Sequence, residues 1–305
     1  MANKDHFNIE PITAHRSFNS YKQVTTDSPT CIIPFSRAGN LIVIKAKVDS
    51  VEGNFILDTG APGLVLNVTY FRDYPTREIS DGEQTGITGA TQSIIKTDVK
   101  DLKLGSFNYS GIEADLANLG HIENSKNIRI LGLVGLEFFK ECEMLIDFEK
   151  GEIHLQYISK KTEYKANEML ADVSMYRTIP IDLMDNRIVA TAELAGKKLK
   201  MIVDCAAESS ILNSKLPNKV FEYITISRRV KLTGSGSRQL DALYGNVSDM
   251  KIGNEKIGDI PVLITNLENT CFSYNGCIDG VLGFDFLSLH KIGFNFVKRK
   301  MYIWK

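Results

Sequence analysis

The strongest constraint on this chain is that it repeats itself. Phe55-Ile-Leu-Asp-Thr-Gly-Ala61 aligns with Met201-Ile-Val-Asp-Cys-Ala-Ala207, at an offset of 146 residues. The same offset links Pro34 to Pro180, Asn40 to Asn186 and Asn67 to Asn213. Beyond these the offset becomes 148, linking Gly86 to Gly234, Gly105 to Gly253 and Phe148 to Phe296. At that offset Gly132-Leu-Val-Gly-Leu-Glu-Phe-Phe139 matches Gly280-Val-Leu-Gly-Phe-Asp-Phe-Leu287. A long repeat of this kind is one structural unit used twice. The expected organisation is a first lobe over 31–158, a polar linker over 159–175, and a second lobe over 176–305. A two-residue insertion is expected in the second copy between Asn213 and Thr233. Residues 1–30 belong to neither copy and read as an N-terminal extension or edge strand.

Each copy is patterned as β structure. Leu41–Val48 and Arg187–Leu194 are runs rich in β-branched residues. Glu52-Gly53, Ala195-Gly196, Gly105 and Gly253 read as hairpin turns. The strands that end at Asp58 and Asp204 are almost wholly apolar, as buried central strands are. Helical signal is short, as at Leu136–Lys140 and Phe284–Leu289, and Phe138, Phe139 and Phe286 read as core. The predicted class is all-β, bilobal, with two homologous barrel-like lobes and a cleft between them.

Composition narrows the function. Lys+Arg number 36 against 37 Asp+Glu, a formal net charge of −1. That balance gives no electrostatic reason to expect nucleic acid as a partner. The longest apolar runs are too short to span a bilayer. The first residues carry no signal-like apolar stretch, so the chain as written reads as cytoplasmic, or as exported if a leader has been removed. Five cysteines with no Cys-x-x-Cys pair read as buried or free thiols; Cys271 and Cys277 are close enough to pair in an exported form. The five histidines show no metal-ligand spacing. Gly234-Ser-Gly-Ser237 lacks the Lys-Ser/Thr of a phosphate loop.

Chemistry concentrates at Asp58 and Asp204. A carboxylate at the end of an apolar strand is costly unless hydrogen-bonded or neutralised. A lone Asp-Thr-Gly is also a turn former, the Asp accepting bonds from the amides that follow. Two at equivalent positions of a duplicated chain would meet near the approximate two-fold axis. There they would share one proton and serve as general base and general acid around a water.

Asp58-Thr59-Gly60-Ala61, with Phe55-Ile56-Leu57 before it and Leu133-Val134-Gly135 later, resembles the aspartic protease superfamily. The similarity is greatest to retropepsin-like bacterial aspartyl proteases. The second copy supplies Asp204-Cys205-Ala206-Ala207 and Val281-Leu282-Gly283, a degenerate version. The resemblance implies a bilobal acid-protease fold with catalytic Asp58 and Asp204, and supporting loops formed by Thr59, Gly60, Ala61, Cys205, Ala206 and Ala207. It implies flap hairpins at about 83–95 and 230–244, turning at Gly86, Gly89, Gly234 and Gly236. It implies an endopeptidase with a polypeptide substrate, no cofactor and no metal, and a monomeric chain. In the family the Thr hydroxyl braces the opposite loop; a Cys205 thiol is a weak donor, which predicts a one-sided brace. Ala206 in place of Gly predicts strain if its φ is positive. A peptide-binding module using the same cleft without catalysis, and a scaffold recruiting partners through residues 1–30, are the alternatives.

Overall fold

The structure, a computed structural model, describes residues 7–9, 23–79, 85–86, 89–90, 94–158, 167–233, 239–253, 255–267, 271–272 and 276–305. It is an all-β acid-protease fold with a few short helices. The principal strands of residues 30–158 are β1 (Thr30–Ala38), β2 (Leu41–Val48), β3 (Val51–Asp58), β4 (Leu64–Asn67), β5 (Thr76–Ile79), β6 (Ile94–Leu104), β7 (Phe107–Ala117), β8 (Gly132–Gly135), β9 (Cys142–Asp147) and β10 (Glu152–Tyr157). Those of residues 176–305 are β11 (Tyr176–Met184), β12 (Arg187–Leu194), β13 (Lys197–Val203), β14 (Ser210–Asn213), β15 (Ile224–Thr233), β16 (Gln239–Val247), β17 (Ile260–Thr265), β18 (Gly280–Leu282), β19 (Ile292–Asn295) and β20 (Lys300–Trp304). The short helices are α1 (Val68–Phe71), α2 (Gly120–Lys126), α3 (Asn218–Phe221) and α4 (Phe284–Leu287), with a 3₁₀ turn at Leu136–Phe139.

The two halves use one pairing scheme. In the first, β3 runs antiparallel to β2 and parallel to β8, and β4 lies antiparallel to β8 and parallel to β7. In the second, β13 pairs with β12 and β18, and β14 with β18 and β17, in the same senses. Close-packed glycines make the crossing possible. A Cβ at Gly283 would stand 2.6 Å from the Ala207 carbonyl, and one at Gly135 would stand 2.6 Å from the Ala61 carbonyl. The Leu136 amide donates to Ala61 (2.9 Å) and the Phe284 amide to Ala207 (2.7 Å). Each hydrophobic–hydrophobic–Gly strand therefore lies directly beneath an aspartate loop and fixes its height.

The halves are joined by an antiparallel sheet in the order β1-β10-β9-β19-β20-β11. Its centre is the β9–β19 pairing, where Glu143 faces Asn295 and Ile146 faces Ile292. The buried Asp147 takes the Lys291 ammonium at 2.8 Å, while Asn295 Nδ2 donates to Glu143 Oε1 at 2.7 Å. The buried carboxylates Asp147 and Glu143 are thus paired across the junction.

Particular expectations change. The turn placed at Glu52-Gly53 lies at Asp49-Ser50, with Asp49 at φ 50° and its Oδ1 accepting the Lys100 and Asp101 amides at 3.0 Å. Gly53 is inside β3, because a Cβ there would press on Leu131 Cδ1 at 2.6 Å. The net two-residue insertion of the second copy is composed of four residues gained and two lost. Asn67 caps α1 directly, whereas Ser214–Pro217 separate Asn213 from α3. Two residues are then lost beyond it: Thr76 faces Thr97 but Ile226 faces Gly245, and a β-bulge follows at Ile226/Arg228. Gln23–Thr26 pairs along the edge of β7, and no helix among the described residues is long and apolar enough to cross a membrane. Cys277 is disulfide-bonded, the backbone of Cys271 pairs opposite it, and Cys31, Cys142 and Cys205 are free thiols.

Candidate active site

Asp58 ends β3, and Asp204 follows β13 by one residue. Each is held by its own loop. Asp58 Oδ1 accepts the Gly60 and Ala61 amides at 2.8 and 2.9 Å. Asp204 Oδ1 accepts the Ala206 and Ala207 amides at 2.9 and 3.2 Å. Satisfying one oxygen of each carboxyl in this way leaves the other oxygens for their partner across the axis. The two carboxyls are near enough that each acts on the other's proton affinity. Gly60 has to lack a side chain, because a Cβ would overlap the Asp204 carboxylate, with Cγ at 2.6 Å.

The loops are braced in both directions, against the one-sided expectation. Thr59 Oγ1 donates to the Val203 carbonyl (3.1 Å) and accepts the Cys205 amide (3.0 Å). Cys205 Sγ donates to the Leu57 carbonyl (3.1 Å), and the Thr59 amide points at that sulfur (3.4 Å). A thiol is a weaker donor than a hydroxyl but has the same valence, so it completes the same exchange. Thr59 and Cys205 are both about 1% exposed. The strain predicted for Ala206 is absent, since it is not among the residues with positive φ. Its methyl joins the apolar group of Leu41, Ile56, Leu119 and Ile130 in the other half.

Both aspartates keep part of their surface open to the cleft, yet dense protein around them removes most of their hydration. Burial, reinforced by the Asp204 charge, pushes Asp58 up to about 7, against the pull of the Gly60 and Ala61 amides. Burial also raises Asp204, opposed by the Ala206 and Ala207 amides and by the positive charge of Arg187. One proton shared at near-neutral pH is what two close, desolvated carboxyls require. Burial, followed by the two aspartate charges, drives the Cys205 thiol far up. It stays protonated and serves as a brace, not a nucleophile.

The hairpins expected over the cleft are partly described. Gly86 and Gly89 face one another across a short ribbon, and β5 and β6 pair at its base. Gly234 and Gly236 lie outside the described residues, between the paired ends Thr233 and Gln239 of β15 and β16. Sequence reasoning did not single out Arg187. The repeat itself carried the signal, because it sets Arg187 where the first copy has Leu41.

The fold is that of the acid proteases, and the two aspartate loops are brought together in it. Residues 190–286 match a family model described as aspartyl protease. The matched segment is just under a third of the chain and includes Asp204-Cys205-Ala206 and Val281-Leu282-Gly283, the copy that departs more from the motif. The match supports an aspartyl protease and hence a hydrolase. No curated protein matches the chain.

Proposed function

We propose that the chain is an aspartic endopeptidase in which Asp58 and Asp204 form one catalytic dyad, arising from a duplicated lobe. The observation that carries this reading is the pair of aspartate loops, each bracing the other through Thr59 and Cys205, with Gly60 packed against the Asp204 carboxylate. Arg187 favours negative charge on Asp204, so this reading assigns the shared proton to Asp58. A water held between them gives a proton to Asp204 as its oxygen bonds to the peptide carbon. Asp58 gives its proton to the carbonyl oxygen, forming a neutral gem-diol. Collapse returns a diol proton to Asp58, while Asp204 passes its proton to the amide nitrogen and the C–N bond breaks. The substrate is an extended polypeptide, held in part by strand-like backbone hydrogen bonds.

A statine-type inhibitor tests the assignment, because its hydroxyl takes the place of the bound water and needs both carboxyls. Calorimetry should show binding to the wild type and a loss of at least about a hundred-fold in Asp58→Asn and in Asp204→Asn, as for a charged hydrogen bond left unmade. Equal affinity in all three proteins would assign the cleft to peptide binding without catalysis.

A further inference from the structure

The two ends of the cleft differ in charge. In the β12–β13 ladder Ile188 faces Val203, so the next step sets Arg187 across from Asp204. In the β2–β3 ladder Val43 faces Ile56, and two steps on Leu41 stands across from Asp58. Leu41 is buried among Ile56, Leu119 and Ile130. Arg187 is half-buried, and among the described residues no hydrogen bond or ion pair holds its guanidinium; the one charge it is shown to act on is that of Asp204.

The loops that follow the two aspartates also differ. Glu208 follows Asp204 by four residues, and its Oε2 takes the Lys126 ammonium at 2.6 Å while its carbonyl accepts Asn40 Nδ2 at 3.1 Å. The corresponding residue after Asp58 is Pro62, which offers no carboxylate. The strand end that carries Arg187 is nevertheless pinned. Asp185 and Asn186 form a left-handed turn (φ 45° and 58°), and Asn186 Oδ1 accepts Lys140 Nζ from the other half at 2.6 Å. A half-buried guanidinium that acts on the Asp204 charge but whose fork of donors is claimed by no hydrogen bond among the described residues is suited to a planar carboxylate, which it can bind through two parallel hydrogen bonds.

We propose that Arg187 forms a subsite for a carboxylate of the polypeptide substrate, supplied by an acidic side chain near the scissile bond or by a free C-terminus, so that the pseudo-symmetric cleft reads substrate direction. The inference rests on the peptide-cleft reading above. At the equivalent position the first copy has the buried Leu41 and no cation, so an acidic residue bound backwards would be left without a partner. That penalty supplies discrimination as much as the attraction does.

The test uses the full chain and peptides from one cleaved sequence, varied one position at a time among Glu, Gln and Lys, each made as free acid and as C-terminal amide. Cleavage is read as kcat/KM, and binding of the same peptides to Asp58→Asn protein is read by fluorescence anisotropy. Wild type should favour Glu over Gln at one position by about ten-fold or more, the effect of a charge-assisted contact. Arg187→Gln should level that ratio and Arg187→Glu should shift it toward Lys. A preference seen only between free acid and amide assigns the carboxylate to the terminus. An acid preference that persists in both Arg187 variants, or that is missing from wild type in both readouts, overturns the proposal. Peptides cut with no Arg187-dependent preference would sink the subsite alone. Arg187-dependent binding by a protein that cuts nothing would keep the subsite and sink the peptidase reading.

Discussion

At the residue scale the dyad couples activity to stability through one proton. Asp58 titrates near 7 in the folded protein against an ordinary 3.8. Between those values the native state holds a proton that the unfolded chain has released, so stability falls as pH rises through that window. Asp58→Asn, which keeps the shape and removes the ionisation, should stabilise the protein at pH 7 by about 2–4 kcal/mol. The gain should shrink toward zero by pH 4. Urea unfolding at pH 4, 5.5 and 7 measures it, and a gain independent of pH would show that the Asp58 proton is not displaced. The small residues beside the dyad are not equivalent. Gly60→Ala drives a methyl into the Asp204 carboxylate and should cost about a hundred-fold or more in kcat, whereas Ala206→Gly, where no positive φ has to be relieved, should change kcat by less than about three-fold. Cys205→Ala removes the Leu57 bond and should cost about 1–3 kcal/mol of stability, while Cys205→Thr should hold within about 1 kcal/mol of wild type. Thermal melts of the two variants separate a working thiol brace from a tolerated filler.

At the scale of elements, what could be read from the sequence follows from how local each cause is. The strands Leu41–Val48 and Arg187–Leu194 were legible residue for residue, because alternation and β-branching are local signals. The Ala195-Gly196 turn was legible because Gly196 fits a left-handed backbone at φ 74°, although Ala195 also takes φ 53° there at a steric cost. Gly53 misled, since its reason is Leu131, some eighty residues away in the sequence. The Asp49 turn was hidden for a similar reason, as the amides that justify it belong to Lys100 and Asp101. The aspartates were found because the repeat marks them twice. The Cys205 brace and the Arg187 charge could not be weighed before the opposite loop and the neighbouring strand were in place.

At the scale of the molecule the six-stranded junction decides whether two halves hold one site. Asp147 is buried, and although burial alone would raise its carboxyl, the Lys291 ammonium and the Lys150 and Glu149 amides bring it below the usual carboxylate range. Lys291→Met would leave that charge without its partner and should cost about 3 kcal/mol, lowering Tm and loosening the register of β9 on β19. Because the brace and the junction both span the halves, unfolding should remain a single transition in wild type. Calorimetry resolving two transitions would mean that the halves stand independently. The central claim is that each half gives one carboxyl to a single catalytic centre. The most direct measurement is cleavage of an unstructured protein such as casein from pH 4 to 8 by wild type, Asp58→Asn and Asp204→Asn, each confirmed folded. Wild type should cut with a bell-shaped profile whose upper limb falls near pH 7, and both variants should lose at least about a thousand-fold, as when either member of a concerted pair is removed. Cleavage that survives either substitution, or climbs steadily into alkaline pH, would contradict a shared dyad.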